Sequence, residues 1–213
     1  MSIFFQHSIN SSTSLGIWKI EEPESFFLEK VPVKQHVSHP YKRLQHLAGR
    51  YLLPFLYEDF PLEEILIADT RKPFLQDEKY HFSISHCANY AAAIASSTSR
   101  VGVDIELVSP TIERIAHKFL NEHEKDILLD WQHLPKLYIQ LITVMWSAKE
   151  AIYKWYGDGQ VSFQNHILMK GDKITINPNE TISLPFIFCK HEAIRVTVEV
   201  KLFGDLVLAW IVT

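Results

Sequence analysis

Between Val101 and Leu107 the sequence alternates, so that on an extended strand Val101, Val103 and Ile105 point one way and Asp104 and Glu106 the other. The two carboxylates then stand about 7 Å apart at their Cα atoms, close enough to lean onto one cation. Gly102 shares their face and leaves space for a ligand to approach. The plainer alternative is a strand with one wet face. Farther on, Glu150 lies in Trp146-Ser-Ala-Lys-Glu-Ala-Ile-Tyr-Lys154, inside a segment whose large apolar groups run nearly all the way round, the pattern of a buried helix. A carboxylate there is costly unless a cation satisfies it, either a metal ion or Lys154 four residues on. As an ordinary helix pair, Glu150 and Lys154 contribute only about 0.2–0.5 kcal/mol. Three carboxylates without Cys or His suit a hard cation, Mg²⁺ before Zn²⁺, and magnesium normally keeps waters and a substrate phosphate in its shell.

Residues 30–57 contain Lys30, Lys34, Lys42, Arg43 and Arg50, with His36, His39 and His46 among them and no acidic residue. Arg43, His46 and Arg50 fall at i, i+3, i+7, one helical stripe suited to holding a phosphate; a solvated helix face would give the same pattern. Arg71-Lys72-Pro73-Phe74 precedes a strand ending in Ser85-His86, where a hydroxyl and an imidazole offer contacts to a phosphate or a leaving group. A histidine at a strand end is also a common surface residue. Glu124 has a plain reading as the N3 member of a capping box on Asn121, and Asp158, between Gly157 and Gly159, reads as turn chemistry.

Other chemistries drop out. The chain has no GxSxG, GxxxxGK[ST] or GxGxxG motif, and His123-Glu124 and His191-Glu192 lack the second histidine of a zinc HExxH. Cys87 and Cys189 are too few and too far apart for a disulfide framework or a zinc site. Twenty-one basic residues against 25 acidic ones give a net charge of −4, so no global field attracts nucleic acid or an anionic membrane. MSIFFQHSIN lacks the features of a secretory signal, and no apolar run reaches the roughly 18 residues of a membrane span. A cytoplasmic protein is expected.

These residues must be positioned by a chain of 213 residues with 47% apolar content and only 7 Gly, enough for one large domain or two small ones. Leu44, Leu47, Ala48, Tyr51 and Leu52 follow helical spacing from about Pro40 to Leu53, with Pro54 as the stop. Short strands over Tyr80–His86, Tyr90–Ala95 and Val101–Leu107 then form an antiparallel meander. The second half repeats this grammar, with a helical region from Thr111 to Trp155 broken near Pro135. Strands are expected near Val161–Met169, Ile174–Ile176, Ala193–Leu202 and Leu206–Val212. The expectation is an α+β fold of two tandem subdomains, 1–99 and 100–213, each a small antiparallel sheet packed on a long helix, divided at the polar run Ser96–Arg100.

Taken in order, Lys72-Pro73, Phe82-Ser-Ile-Ser-His86, Val101-Gly-Val-Asp-Ile-Glu106, Phe119…Glu124 and Trp146-Ser-Ala-Lys-Glu-Ala-Ile-Tyr-Lys154…Gly157-Asp-Gly159 resemble the 4′-phosphopantetheinyl transferase superfamily, in its two-domain form. The match spans roughly residues 40–160. The resemblance implies a pseudo-twofold α+β fold with the metal site at the interface of the halves. It implies Mg²⁺-dependent (or Mn²⁺-dependent) transfer of phosphopantetheine from coenzyme A to a serine of an apo acyl or peptidyl carrier protein by a monomer of the holo-[acyl-carrier-protein] synthase type. Carried over residue by residue, Asp104, Glu106 and Glu150 resemble the metal ligands and Lys154 the lysine at the diphosphate. His86 and Lys72, with Ser85 and Arg43 beside them, resemble contacts to coenzyme A phosphates, and Glu124 the proposed general base. Gln160 and Asp158 depart from the pattern.

In the mechanism so implied, Glu124 or a water on the ion takes the proton of the carrier serine, which attacks the β-phosphorus while Lys154 stabilises the departing 3′,5′-ADP. Two other classes compete. A coenzyme A-binding or nucleotide-binding module would use the basic residues and carboxylates only to hold ligand, and a metal-dependent phosphodiester hydrolase would use the carboxylates alone.

Overall fold

A computed structural model of the protein describes residues 3–32, 37–175 and 180–213. Lys34 and His36 of the basic interval, and Ile176 of an expected strand, lie outside the described residues. The chain forms mixed α+β structure with antiparallel sheets and divides into two compact units, Met1–Ile105 and Glu106–Thr213.

The first unit opens with a hairpin, β1 (Ile3–Asn10) and β2 (Thr13–Lys19), whose two-residue turn is held by Asn10 Oδ1 accepting from Ser12 N at 2.9 Å. After α1 (Glu24–Leu28) comes α2 (Pro40–Leu56). Pro40 occupies its first turn, where a missing N–H is harmless, and His39 caps Lys42 N. The helix does not stop at Pro54 as expected. Pro54 sits in the last turn, where its fixed φ is helical and only one hydrogen bond is forfeited, and the closing Tyr57 N–H still donates to Leu53 O at 3.0 Å. The short ribbon β3 (Leu66–Ile67) and β4 (Pro73–Phe74) leads to β5 (His81–Cys87) and β6 (Tyr90–Ser96).

The sheet order is β1-β2-β6-β5, so β6 neighbours β2, and the strand that follows, β7 (Val101–Leu107), leaves the expected meander. Helix α2 packs across this sheet, burying Leu47, Ala48, Leu52 and Leu53 with Trp18, Phe82, Ala91, Ala93 and Ala95. Gly49 lets the helix come close to β5: a methyl there would lie 2.5 Å from Ile84 Cγ2. Gln45 Nε2 donates to Ala88 O in the β5–β6 turn at 2.7 Å and sets the helix axially.

The division between the units falls within β7, after Ile105. The last residues of β7 open the second unit as the edge of a five-stranded sheet, order β7-β11-β10-β9-β8. A 3₁₀ turn over Pro110–Ile115 leads into α3 (Ala116–Phe119), α4 (Glu122–Leu129) and the 22-residue α5 (Pro135–Tyr156). The expected long helical region is thus four pieces. Leu141, Ile142, Val144, Met145, Ala148, Ala151 and Ile152 of α5 are all 0% exposed, as its all-round apolar pattern demands. Gly157, at φ 84°, closes it by accepting the left-handed conformation that a side chain resists.

The expected strand over Val161–Met169 begins instead as α6 (Phe163–His166), because Ser162 Oγ caps Asn165 N, and only β8 (Ile167–Met169) is extended. Ile174 is buried outside any strand. Then follow β9 (Ile182–Phe188), which was not among the expected strands, β10 (Ile194–Phe203) and β11 (Leu206–Val212). No helix among the described residues is long and apolar enough to cross a membrane.

Candidate active site

The two faces of β5 do different work. Strand alternation turns Ile84 and His86 toward α2 and Ser83 and Ser85 toward β7. On the α2 side, His46 and Arg50 from the helix, Arg71 and Pro73 from the β3–β4 ribbon, and Ile67, Ile84 and His86 line a cavity of about 470 Å³. The His46 and His86 rings meet edge to face with centroids 5.0 Å apart. Two guanidinium groups and two imidazoles converge there, and among the described residues no carboxylate lines the cavity. Such a set suits a phosphate, with arginine supplying paired donors. Burial draws the Arg50 guanidinium below its ordinary pKa; it stays charged, in surroundings where its attraction for an anion is stronger than in bulk water. Arg71 adopts φ 67°, a left-handed conformation costing a non-glycine residue roughly 1–2 kcal/mol. It is held by Arg71 N donating to Ala68 O at 2.8 Å and Ala68 N to Lys72 O at 2.9 Å. Lys72 is half-buried in that turn.

Arg43 faces elsewhere. Its Nε and Nη2 pair with both oxygens of Glu24, the latter at 2.9 Å, and Nη1 donates to Val37 O at 3.3 Å. Spacing along α2 showed the basic stripe, but Glu24 stands nineteen residues upstream on another helix.

His46 carries a pH prediction. Desolvation by the surrounding protein, then the charges of Arg50 and Lys42, hold its pKa below the ordinary 6.5. Between that folded value and 6.5 the unfolded chain binds more protons, so stability rises with pH. The contribution is therefore present above about pH 6.5 and lost as the pH falls through the folded value. Melting curves at neutral and mildly acid pH are expected to show a smaller acid loss for His46→Gln than for wild type.

On the opposite face of β5, Ser83 Oγ accepts from Val103 N at 3.1 Å and Ser85 Oγ donates to Asp104 Oδ1 at 2.8 Å. Ser85 and His86, adjacent in sequence, thus serve different surroundings. Asp104 is only 2% exposed, so the wet-face reading of this strand does not hold at that residue.

In the second unit, Glu106 Oε1 accepts from Trp146 Nε1 at 3.4 Å. Trp146, Glu150 and Lys154 stand one helical turn apart along α5, each half-buried. Among the described residues no three His, Cys, Asp or Glu side chains are grouped so as to hold a metal ion. Asp158 is exposed in the turn after α5.

Glu124 lies apart from any open surface. It is 0% exposed and completes the capping box with Asn121, while its carboxylate also accepts from Met169 N at 3.0 Å and Lys149 Nζ at 2.6 Å. Lys149, itself 0% exposed, gives its other protons to Phe119 O and Phe163 O. Burial lowers the Lys149 pKa, and Glu124 pulls it back up. Sequence reasoning gave Lys149 no role, although a lysine on a helix apolar all round was itself a signal.

A family model described as the 4′-phosphopantetheinyl transferase superfamily matches residues 100–211, just over half of the chain. Enterobactin synthase component D of Salmonella typhi is 34% identical over 120 residues, which cover 55% of this chain and 49% of the relative. The 4′-phosphopantetheinyl transferase AcpT of Escherichia coli (strain K12) is 32% identical over 121 residues, 54% of this chain and 59% of the relative. The 4′-phosphopantetheinyl transferase gsp of Aneurinibacillus migulanus is 30% identical over 143 residues, 65% and 56% respectively. The chain spans about half the length of the curated relatives it matches.

Proposed function

The chain belongs to the 4′-phosphopantetheinyl transferase superfamily, and we propose that it transfers the phosphopantetheine group of coenzyme A to a serine of an apo acyl or peptidyl carrier protein, with Mg²⁺ as its metal. The observation that carries this reading is β5 itself, with an anion cavity on one face and the buried Asp104 behind the other. A hydrolase acting on an ordinary diester has no use for a second, separate phosphate cavity, whereas coenzyme A has a 3′-phosphate as well as a diphosphate.

Asp104, Glu106 and Glu150 would hold the ion, an all-oxygen donor set of the kind that suits a hard cation. When bound, the ion supplies charge neutralisation at the diphosphate oxygens. His46, Arg50, Arg71 and His86 take the 3′-phosphate and anchor the adenosine end. The carrier serine oxygen forms its bond to the β-phosphorus as the bond to 3′,5′-ADP breaks, and Lys154 receives the charge that gathers on the departing phosphate oxygen. The serine proton passes to water, because the Glu124 carboxylate is enclosed and filled by its own hydrogen bonds.

Incubating the protein with coenzyme A, Mg²⁺ and an apo carrier, then weighing the carrier, tests the reading. Transfer adds the phosphopantetheine mass. Release of 3′,5′-ADP without a mass gain would mean hydrolysis, and neither change a binding module. Dephospho-coenzyme A is expected to bind about 10- to 100-fold more weakly, the loss of charged hydrogen bonds of roughly 1.5–3 kcal/mol. Arg50→Ala with His86→Ala is expected to erase that difference, and Arg43→Ala to leave it intact. Equal affinity of the wild type for both ligands removes the cavity assignment.

A further inference from the structure

The Lys149 ammonium and the Glu124 carboxylate form an ion pair at 2.6 Å with both side chains 0% exposed. Such pairs are poor devices for stability alone, since desolvation consumes most of the attraction. What this one holds is specific. Lys149 Nζ donates to Phe119 O at 2.7 Å and to Phe163 O at 3.0 Å. The rings of those same two residues pack on Trp146, with centroids 5.0 Å and 5.6 Å away. Trp146 in turn gives its indole N–H to Glu106. Glu124 fastens the far side of the assembly, accepting from Met169 N at the end of the edge strand β8 and from Asn121 N at the start of α4.

We infer that the buried Glu124–Lys149 pair is a positioning device: it fixes the two phenylalanine walls that aim the Trp146 indole, and through it the Glu106 carboxylate. Glu124 is then a positioning residue and not the base. Every oxygen and proton of the pair is engaged within the second unit, and the chain of contacts runs on through Trp146 to Glu106. This inference rests on the reading of Glu106 as a metal ligand. Residues standing behind ligands in this way typically change metal affinity or activity about 10- to 100-fold when altered.

The test uses the full chain with ¹⁵N-labelled tryptophan, the Trp146 indole resonance being assigned by its loss in Trp146→Phe. Removing one partner alone strands a buried charge, so the variant is the pair Glu124→Gln with Lys149→Met. In the metal-free spectrum its Trp146 resonance is expected to shift toward that of Glu106→Gln while the other indole resonances stay. At saturating coenzyme A, kcat is expected to fall about 10- to 100-fold with KM for coenzyme A as in wild type. Phe163→Leu, which keeps the pair and removes one wall, is expected to shift the same resonance. A Trp146 resonance left in place by both variants overturns the inference. So does a Glu124→Gln protein that loses turnover with Trp146 undisturbed, since Glu124 would then be acting on substrate. A separate Mg²⁺ titration of the wild type bears on the functional reading alone: a Trp146 resonance unmoved by Mg²⁺ would remove Glu106 from the metal shell.

Discussion

Asp104→Asn is expected to fold normally and to lose transfer by roughly 10²–10³-fold, the scale of losing a preorganised charge contact in a transition state. The substitution keeps the shape of the side chain, and the amide oxygen still accepts from the Ser85 hydroxyl. It removes only the charge. With the Ser85 hydrogen bond kept, the metal-free variant is expected to melt close to the wild-type temperature. The Mg²⁺-induced rise in melting temperature, measured at fixed protein and ion concentrations, should largely vanish. A folded Asp104→Asn that retains both its turnover and its Mg²⁺ shift would show that this carboxylate does not serve the ion.

Lys149→Met is expected to be the most damaging single substitution to stability. It leaves the Glu124 carboxylate buried without its ammonium, a situation costing about 3–5 kcal/mol. For a chain of this size that corresponds to a fall of roughly 6–20 °C in melting temperature. Adding Glu124→Gln is expected to recover a large part of the fall, since no charge is then stranded. Scanning calorimetry on the single and double variants checks the sign of the coupling. A double variant no more stable than Lys149→Met would mean that the hydrogen bonds to Phe119 and Phe163, not the charge, carry the effect.

Much of this was legible because the signals are local. Asp104 and Glu106 flank Ile105 on a strand that forms as its alternation dictates, and β11 runs over Leu206–Val212 as its apolar run requires. The capping box at Asn121 was readable from spacing and is present. The hairpin β1–β2 was not, because most β1 side chains are exposed and show no clean alternation. Strand β9 was not among the expected strands although its residues alternate; a proline inside a strand is unusual, and Pro185 is accommodated at an exposed position, its carbonyl accepting from Lys170 N at 2.8 Å. What sequence could not show is pairing at a distance. Glu24 claims Arg43 from a different helix, and Lys149 meets Glu124 across twenty-five residues. The separation of Ser85 from His86 was available in principle, since consecutive strand residues face opposite ways.

Gly49 gives the anion cavity an evolutionary constraint. Alanine in its place would raise helix propensity by about 1 kcal/mol, so drift toward a more stable α2 favours it at every generation. The methyl would strike Ile84, a cavity wall, and push the helix bearing His46 and Arg50 away from the strand bearing His86. Selection for a durable fold and selection for a grip on ligand therefore oppose each other at a residue that touches no ligand. A routine thermostabilising campaign that replaces helical glycines would meet at this position a protein that resists improvement.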